Sequence, residues 1–354
     1  GDLGPVVGFT DRQLAECRIG GPLFRGDTSA CEWGTDADSA APGLLGASKQ
    51  AHLFRTDYVT NSNDSFWLAN PEAPLTDVPA VQGPTGTERR MRTRSGLMMV
   101  RARQQGSDGL PGNKFDMTTL AETMLSNRNT AAQLLLDDLV TLCRREPSIA
   151  LEGEQVSLEG ACEVLAAWDR YNNIESRGAH LFREFLRTAR TDTDDKGSVP
   201  GSLKLKHPFD PSRPIETPAG LDIADNPAAL ASLAEAVRTL EDAGIKLDAR
   251  LGDIQGVTRN GNFIPLPGGD DFEGVFNKMG MDFAGAAGYP EVTGSSASWV
   301  MVTHVAGSDT RARGLTSYSQ SSDPTSPHYT DLTRRFSAGQ LVDIPILQED
   351  VKAR

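Results

Sequence analysis

Asn61-Ser62-Asn63-Asp64-Ser65-Phe66-Trp67-Leu68-Ala69-Asn70-Pro71 crowds four short amide or carboxylate side chains and two aromatics into eleven residues. A single turn uses one or two such residues, because an Asn or Asp side chain satisfies its own nearby backbone. Two Asn, one Asp and two Ser in five consecutive positions exceed that need. Side-chain amides held rigidly also donate well to an oxygen that gains negative charge during a reaction. The stretch therefore reads in two ways, as a turn-rich loop and as an oxyanion-binding element.

The rest of the chain limits what such an element can serve. With 354 residues there is enough chain for a sizeable core and one to three domains. The 35 Gly and 21 Pro point to a loop-rich fold. A net charge of -13 argues against a nucleic-acid partner, which needs a basic face. That charge fits a self-repelling, exported protein. No 18-residue apolar run is present, so no membrane span is expected. Gly1-Asp2-Leu3-Gly4-Pro5 lacks the basic start and apolar core of a signal peptide.

The cysteines fall as two local couples, Cys17 with Cys31 and Cys143 with Cys162. Four cysteines allow three connectivities, and the local pairing is favoured because each couple brackets a short loop. A zinc site is one alternative, opposed by the lack of a C-x2-C pair and of a nearby His. Buried free thiols are the other. Two disulfides would place the protein outside the cytoplasm, secreted or periplasmic.

Three regions follow from patterning. Residues 1–100 begin irregularly, broken by Gly20-Gly21-Pro22 and Pro42-Gly43, then read as a short strand from Leu53 to Val59 leading into the Asn motif. Residues 101–220 are mainly a helical block and a loop. Leu120, Met124 and Leu125, then Leu134, Leu135, Leu139, Val140 and Leu142, recur at helical spacing. Asp116 and Ser157 are candidate caps, and a further helix is expected from Arg177 to Arg190. The polar, Pro-rich stretch from Thr191 to Pro218 reads as a surface loop. Residues 221–354 open with a helix capped by Asn226, striped by Leu230, Leu233, Val237 and Leu240, and ended by Gly244. Strands are expected at Ser298–Val305, Arg313–Ser319 and Gln340–Ile344. Helices in the middle and strands at the end predict an α+β fold.

The Asn motif resembles the N-x-N-[ND]-S element of the penicillin acylase family, a group of N-terminal nucleophile hydrolases. Other segments in the same order are similar to the branch acting on acyl-homoserine lactones and cyclic lipopeptides. These are Ser29-Ala30-Cys31-Glu32-Trp33-Gly34-Thr35-Asp36, Arg55-Thr56-Asp57-Tyr58-Val59, Cys162-Glu163-Val164-Leu165-Ala166-Ala167-Trp168-Asp169, Ile264-Pro265-Leu266-Pro267-Gly268-Gly269, and Tyr318-Ser319-Gln320-Ser321 with Ser326-Pro327-His328-Tyr329. The resemblance covers nearly the whole chain and corresponds to the C-terminal part of the family's β-subunit. It implies part of an αββα sandwich with a helical insertion, completed by other chains. It also implies amide hydrolysis through an acyl-enzyme on an N-terminal Ser, Cys or Thr whose α-amine serves as base.

Under that resemblance Asn63 supplies an oxyanion donor, the competing role being an Asx-turn residue. The family's Arg that orients the active-site Asn aligns with Arg92, in Glu88-Arg89-Arg90-Met91-Arg92-Thr93-Arg94, with Arg90 and Arg94 the alternatives by register. A solvated basic turn is the plain reading of this run. Phe66 and Trp67 are candidates to line an acyl site, against ordinary core packing. The implied substrates are acyl-homoserine lactones, lipopeptides or penicillins, which connects the chain to quorum quenching and antibiotic chemistry. No cofactor and no metal set is expected. The chain begins at Gly1, so the nucleophile and the α-subunit are expected on companion chains of the same precursor. The alternative function is a secreted binding or structural protein on the same scaffold. A third option, a hydrolase using Ser326 and His328 with Asp331, lacks a G-x-S-x-G element.

Overall fold

The computed structural model describes residues 16–20, 23–32, 36–76, 78, 82–191 and 197–352. The chain forms two compact units, Gly1–Arg89 with Phe209–Thr217, and Arg90–Pro208 with Pro218–Arg354.

Among its described residues the first unit is largely irregular, as its Gly and Pro content predicts. It holds an antiparallel pair, β1 (Arg18–Gly20) with β2 (Leu23–Phe24), and short 3-10 turns at Ser29–Cys31, Ala47–Lys49 and Phe66–Leu68. Cys17 and Cys31 form a disulfide with Cα atoms 5.6 Å apart. The strand expected from Leu53 to Val59 does not form. Side chains tie the segment down instead. The Arg55 guanidinium donates to both carboxylate oxygens of Asp57, at 2.8 and 2.7 Å, and Asn70 Nδ2 donates to the Tyr58 carbonyl at 3.0 Å.

The second unit begins with a helix that patterning did not expect. α1 (Met91–Gln105) starts inside the Arg run and ends at Gly106, whose φ of 64° is the left-handed conformation glycine adopts cheaply. Arg, Met, Leu and Gln are strong helix formers, which explains α1. The reading of the run as a solvated basic turn is overturned, since Arg94 is fully buried. α2 (Met117–Met124) is capped by Asp116, which accepts from the Thr119 N–H at 2.7 Å. α3 (Thr130–Arg145) is capped by Asn129, and α4 (Glu159–Ala167) follows the β3 (Ser148–Leu151)–β4 (Glu154–Ser157) hairpin. Ser157 therefore ends a strand, and the helix begins two residues later. Cys143 on α3 and Cys162 on α4 form the second disulfide.

α5 (Ala179–Thr188) and α6 (Pro227–Asp242) form the centre of the helical core. Leu181, Phe182, Phe185 and Leu186 on α5 are buried in one cluster with Leu230, Leu233, Val237 and Leu240 on α6. Burying side chains of this kind contributes about 1.5–3 kcal/mol each. Asn226 stands at the start of α6, but its amide donates to the Lys204 carbonyl at 2.8 Å and does not cap the helix. Lys204 immediately precedes β5 (Leu205–His207), a strand within the stretch expected to be loop, which pairs with β6 (Ala219–Leu221).

The strands beyond α6 are antiparallel. After the short helix α7 (Leu251–Ile254), β7 (Gly256–Arg259) and β8 (Asn262–Pro265) form a hairpin. β9 (Trp299–His304), β10 (Arg311–Thr316) and β11 (Val342–Ile344) form a sheet ordered β11-β10-β9, with α8 (Asp331–Ser337) between β10 and β11 in sequence. The expected strands are present; β9 and β11 are shorter than read, and β10 starts two residues earlier and ends three earlier. Separate helical and antiparallel regions make the fold α+β. Among the described residues no helix is long and apolar enough to cross a membrane.

One core group responds to pH. His180 on α5 is fully buried; its Nε2–H donates to the Lys246 carbonyl at 3.0 Å, and Nδ1 has no partner. Burial lowers its pKa to about 4. The unfolded chain binds the proton more readily, so this contribution is complete above pH ~6.5 and is lost as pH falls toward 4. The loss is expected to reach about 3 kcal/mol. His180→Gln keeps a donor and removes the titration. Chemical denaturation between pH 4 and 6.5 should give a shallower stability slope for the variant; equal slopes would refute the assignment.

Candidate active site

The Asn motif is a loop closed by its own hydrogen bonds. The Thr60 N–H donates to the Ala69 carbonyl at 2.8 Å, and the Leu75 N–H to the Trp67 carbonyl at 3.0 Å. Within the loop, Asn61 plays the Asx-turn part: its Oδ1 accepts from the Asn63 N–H at 2.9 Å, and its Nδ2 donates to the Asp64 carbonyl at 3.1 Å. These bonds bracket Asn63, which adopts a φ of 55°. The left-handed region is uncommon for non-glycine residues and is best tolerated by Asn and Asp. Asn63 is exposed. Asn61 thus supplies the hydrogen bonds of the turn, and Asn63 takes its positive-φ position.

The far side of the loop is equally fixed. Ser65 Oγ accepts from the Trp67 N–H at 3.1 Å and donates to the Pro84 carbonyl at 2.7 Å. Gly83, at a φ of 111°, lets this approach happen; an added Cβ would lie 2.4 Å from Ser65 Cα. Trp67 is 4% exposed and belongs to the core of the loop, whereas Phe66 is 43% exposed on the same 3-10 turn as Trp67.

Arg89 is the residue that sequence reasoning passed over. Its guanidinium donates to Asp64 Oδ1 at 2.8 Å and to the Thr87 carbonyl at 3.2 Å, and also reaches Thr87 Oγ1. Both side chains of this ion pair are nearly buried. Asp64 Oδ1 additionally accepts from the Ser65 N–H at 2.8 Å. Arg89 therefore anchors the residue that follows Asn63. Its presence in the Arg run was the available signal; its pairing with a carboxylate 25 positions earlier has no local sequence mark. Arg89→Lys keeps the charge but not the fork that spans Asp64 and Thr87. It is expected to lower turnover of the complete protein about ten-fold, a barrier change of about 1.4 kcal/mol, with KM nearly unchanged. Turnover at the unsubstituted level would show that Asn63 holds its place without the clamp.

The aligned arginines lie in the second unit. Arg92 on α1 donates from Nε to Asp271 Oδ1 at 2.7 Å, and Lys278 Nζ reaches Asp271 Oδ2 at 2.5 Å. Burial opposes ionisation of Asp271, but bonds from Lys278 and Arg92 hold its carboxyl below the usual range. Arg94 donates to the Pro218 carbonyl at 2.9 Å and is a buried strut. Arg90 sits at the N-cap of α1, with its carbonyl accepting from the Arg94 N–H at 3.1 Å. His328 Nδ1 lies 2.9 Å from Asp331 Oδ2, but Ser326 Oγ accepts the His328 backbone N–H, so no nucleophile–base contact links Ser326 to the imidazole. Among the described residues no group of three or more His, Cys, Asp or Glu is placed to hold a metal ion.

The chain belongs to the penicillin amidase family, whose model matches residues 10–353. It is 37% identical over 319 residues to aculeacin-A acylase of Actinoplanes utahensis, covering 90% of this chain and 38% of that protein. It is 32% identical over 361 residues to the acyl-homoserine lactone acylase PvdQ of Pseudomonas savastanoi pv. phaseolicola, covering 99% of this chain and 44% of that protein. The chain thus spans less than half the length of these relatives.

Proposed function

We propose that this chain is one part of an acylase that hydrolyses a fatty-acyl amide, of the acyl-homoserine lactone, lipopeptide or penicillin type, to a carboxylic acid and an amine. The observation that carries the reading is the Asn63 loop. It holds an exposed Asn in the left-handed conformation, bracketed by an Asx turn and an arginine-anchored neighbour, in a chain of the penicillin amidase family. Under this reading the nucleophile is the N-terminal Ser, Cys or Thr of a companion chain from the same precursor. Its oxygen or sulfur attacks the acyl carbon, its α-amine takes the proton, and the amine product leaves with that proton. Water then releases the acid. A negative oxygen forms in both steps, and Asn63 Nδ2 donates to it. Arg92 is carried over from the family as the orienting Arg, and Phe66 as an apolar wall for the acyl group. The strands of this chain contribute to an αββα sandwich closed by the companion chain. Two disulfides support a secreted or periplasmic location.

The test is intact mass and N-terminal sequencing of the complete protein, with chromatographic assay of acid released from each substrate type. A companion chain beginning with Ser, Cys or Thr, together with acid release, is the expected result. A complete protein with no such chain and no acid release would overturn the reading. Acyl length is expected to discriminate by only about 1–3 kcal/mol per methylene.

A further inference from the structure

A cavity of about 230 Å3 lies in the second unit, lined from the β7–β8 hairpin and from residues next to β9 and β10. Its floor is apolar. Val257, Leu266 and Met279 are buried, and Val292 packs against the same cluster. Ser298, just before β9, and Ser317, just after β10, add hydroxyls to the wall. Ser317 is 9% exposed, and its N–H donates to the Ser298 carbonyl at 3.1 Å. The Ser317 hydroxyl has no hydrogen-bond partner among the described residues. Buried polar groups are normally paired, so an unpaired one in a cavity wall points to a polar guest. Water satisfies a hydroxyl but gains nothing over an apolar floor.

Arg259 on β7 stands in the same wall, and with Glu291 and Tyr318 it also borders a wider cleft outside. Its Nη1 and Nη2 donate to Glu291 Oε2 and Oε1 at 2.8 and 3.0 Å, and Nη1 donates to the Thr258 carbonyl at 3.0 Å. A guanidinium carries five N–H donors, and these bonds use three. Nε–H and the outer Nη2–H, which form one edge of the fork, have no partner among the described residues. Such an edge matches the two oxygens of a carboxylate. Glu291 keeps the other edge, so an incoming carboxylate need not displace it. The Glu291 charge does oppose a second anion on the same cation, which favours a guest that also gains from apolar burial. The cavity is smaller than the about 300–1,000 Å3 usual for drug-sized ligands, so it suits a short acid and not a whole lipopeptide.

We propose that this cavity binds a short aliphatic monocarboxylic acid, its carboxylate on the free edge of Arg259 and its chain over Val257, Leu266 and Met279. Such an acid is of the class the proposed hydrolysis releases, but the site stands whether or not that reading does. The test uses the complete protein made from its full-length precursor and a hexanoic acid bearing a diazirine at carbon 5. After irradiation, mass spectrometry is expected to find label within residues 257–298, suppressed by excess hexanoate and not by the same excess of 1-hexanol. Arg259→Lys keeps the charge but loses the fork, and should cut this labelling at least about ten-fold. Ser298→Trp, at an exposed position of the wall, should block it by filling the space. Circular dichroism checks the fold of each variant, and if Arg259→Lys is unfolded, Ser298→Trp decides. Label found only outside residues 257–298 overturns the site, as does no label at all, the result if a companion side chain occupies the cavity. Equal suppression by 1-hexanol, or undiminished label in a folded variant, overturns it too. None of these outcomes depends on acid release, so the acylase reading is tested separately.

Discussion

Asn63→Ala is expected to lower turnover of the complete protein about 100- to 1,000-fold, the usual cost of removing one oxyanion donor. The variant changes two things, because Ala is strained at a φ of 55° where Asn is tolerated. Asn63→Gly removes the same amide and relaxes the backbone. If the carboxamide is the active group, both variants lose turnover to a similar degree, and Ala alone melts slightly lower. If the loop conformation is what counts, Gly retains turnover and Ala does not, and the oxyanion assignment fails. Amine release set against acid release in single-turnover experiments separates acylation from deacylation. Both steps should slow, since each passes through a negatively charged oxygen.

How far the sequence disclosed this arrangement depended on the range of the interactions. α6 was readable because Pro227, the Leu stripe and Gly244 lie within a few turns of one another. The Asp116 cap and the local cysteine couples were readable for the same reason. α1 was not, because its charged residues look solvent-facing until Arg94 finds the Pro218 carbonyl 124 positions away. The segment at Leu53–Val59 carries strand-like residues, yet local clamps between Arg55, Asp57 and Asn70 outcompete a ladder that has no partner strand in the described residues. In the candidate site, composition identified the loop, but only the geometry showed that Asn61 supplies the hydrogen bonds of the turn and that Asn63 takes its positive-φ position. The clamp on Asp64 comes from Arg89, in the Arg run but not among the register candidates Arg90, Arg92 and Arg94.

The largest stability effect is expected at the buried pair of Arg183 on α5 and Glu273, 2% and 0% exposed at their side chains, with Nε–Oε2 of 2.8 Å. Glu273 also accepts from Asn172 at 2.7 Å, from Asn129 at 3.3 Å and from the Asp270 N–H at 2.7 Å. Arg183 donates to Gln255 Oε1 at 2.5 Å and to the Gly268 carbonyl at 3.3 Å, and its guanidinium lies 4.8 Å from the centre of the Tyr289 ring. Burial opposes the Arg183 charge, but Glu273, Tyr289 and Glu184 together raise its pKa. Arg183→Met leaves Glu273 as an uncompensated buried charge, which costs about 3–5 kcal/mol in urea unfolding. Adding Glu273→Gln removes that charge, so the double variant should be more stable than Arg183→Met alone. A double variant whose loss equals the sum of the two single losses would show that the pair is not coupled. Glu273 sits in the turn Asp271–Glu273, and Asp271 is the carboxylate that holds Arg92 at 2.7 Å. The network is therefore expected to set the position of Arg92 as well as the stability of the unit. In Arg183→Met, kcat should fall even at temperatures where the protein remains folded. Unchanged kcat under those conditions would confine the network to a structural role.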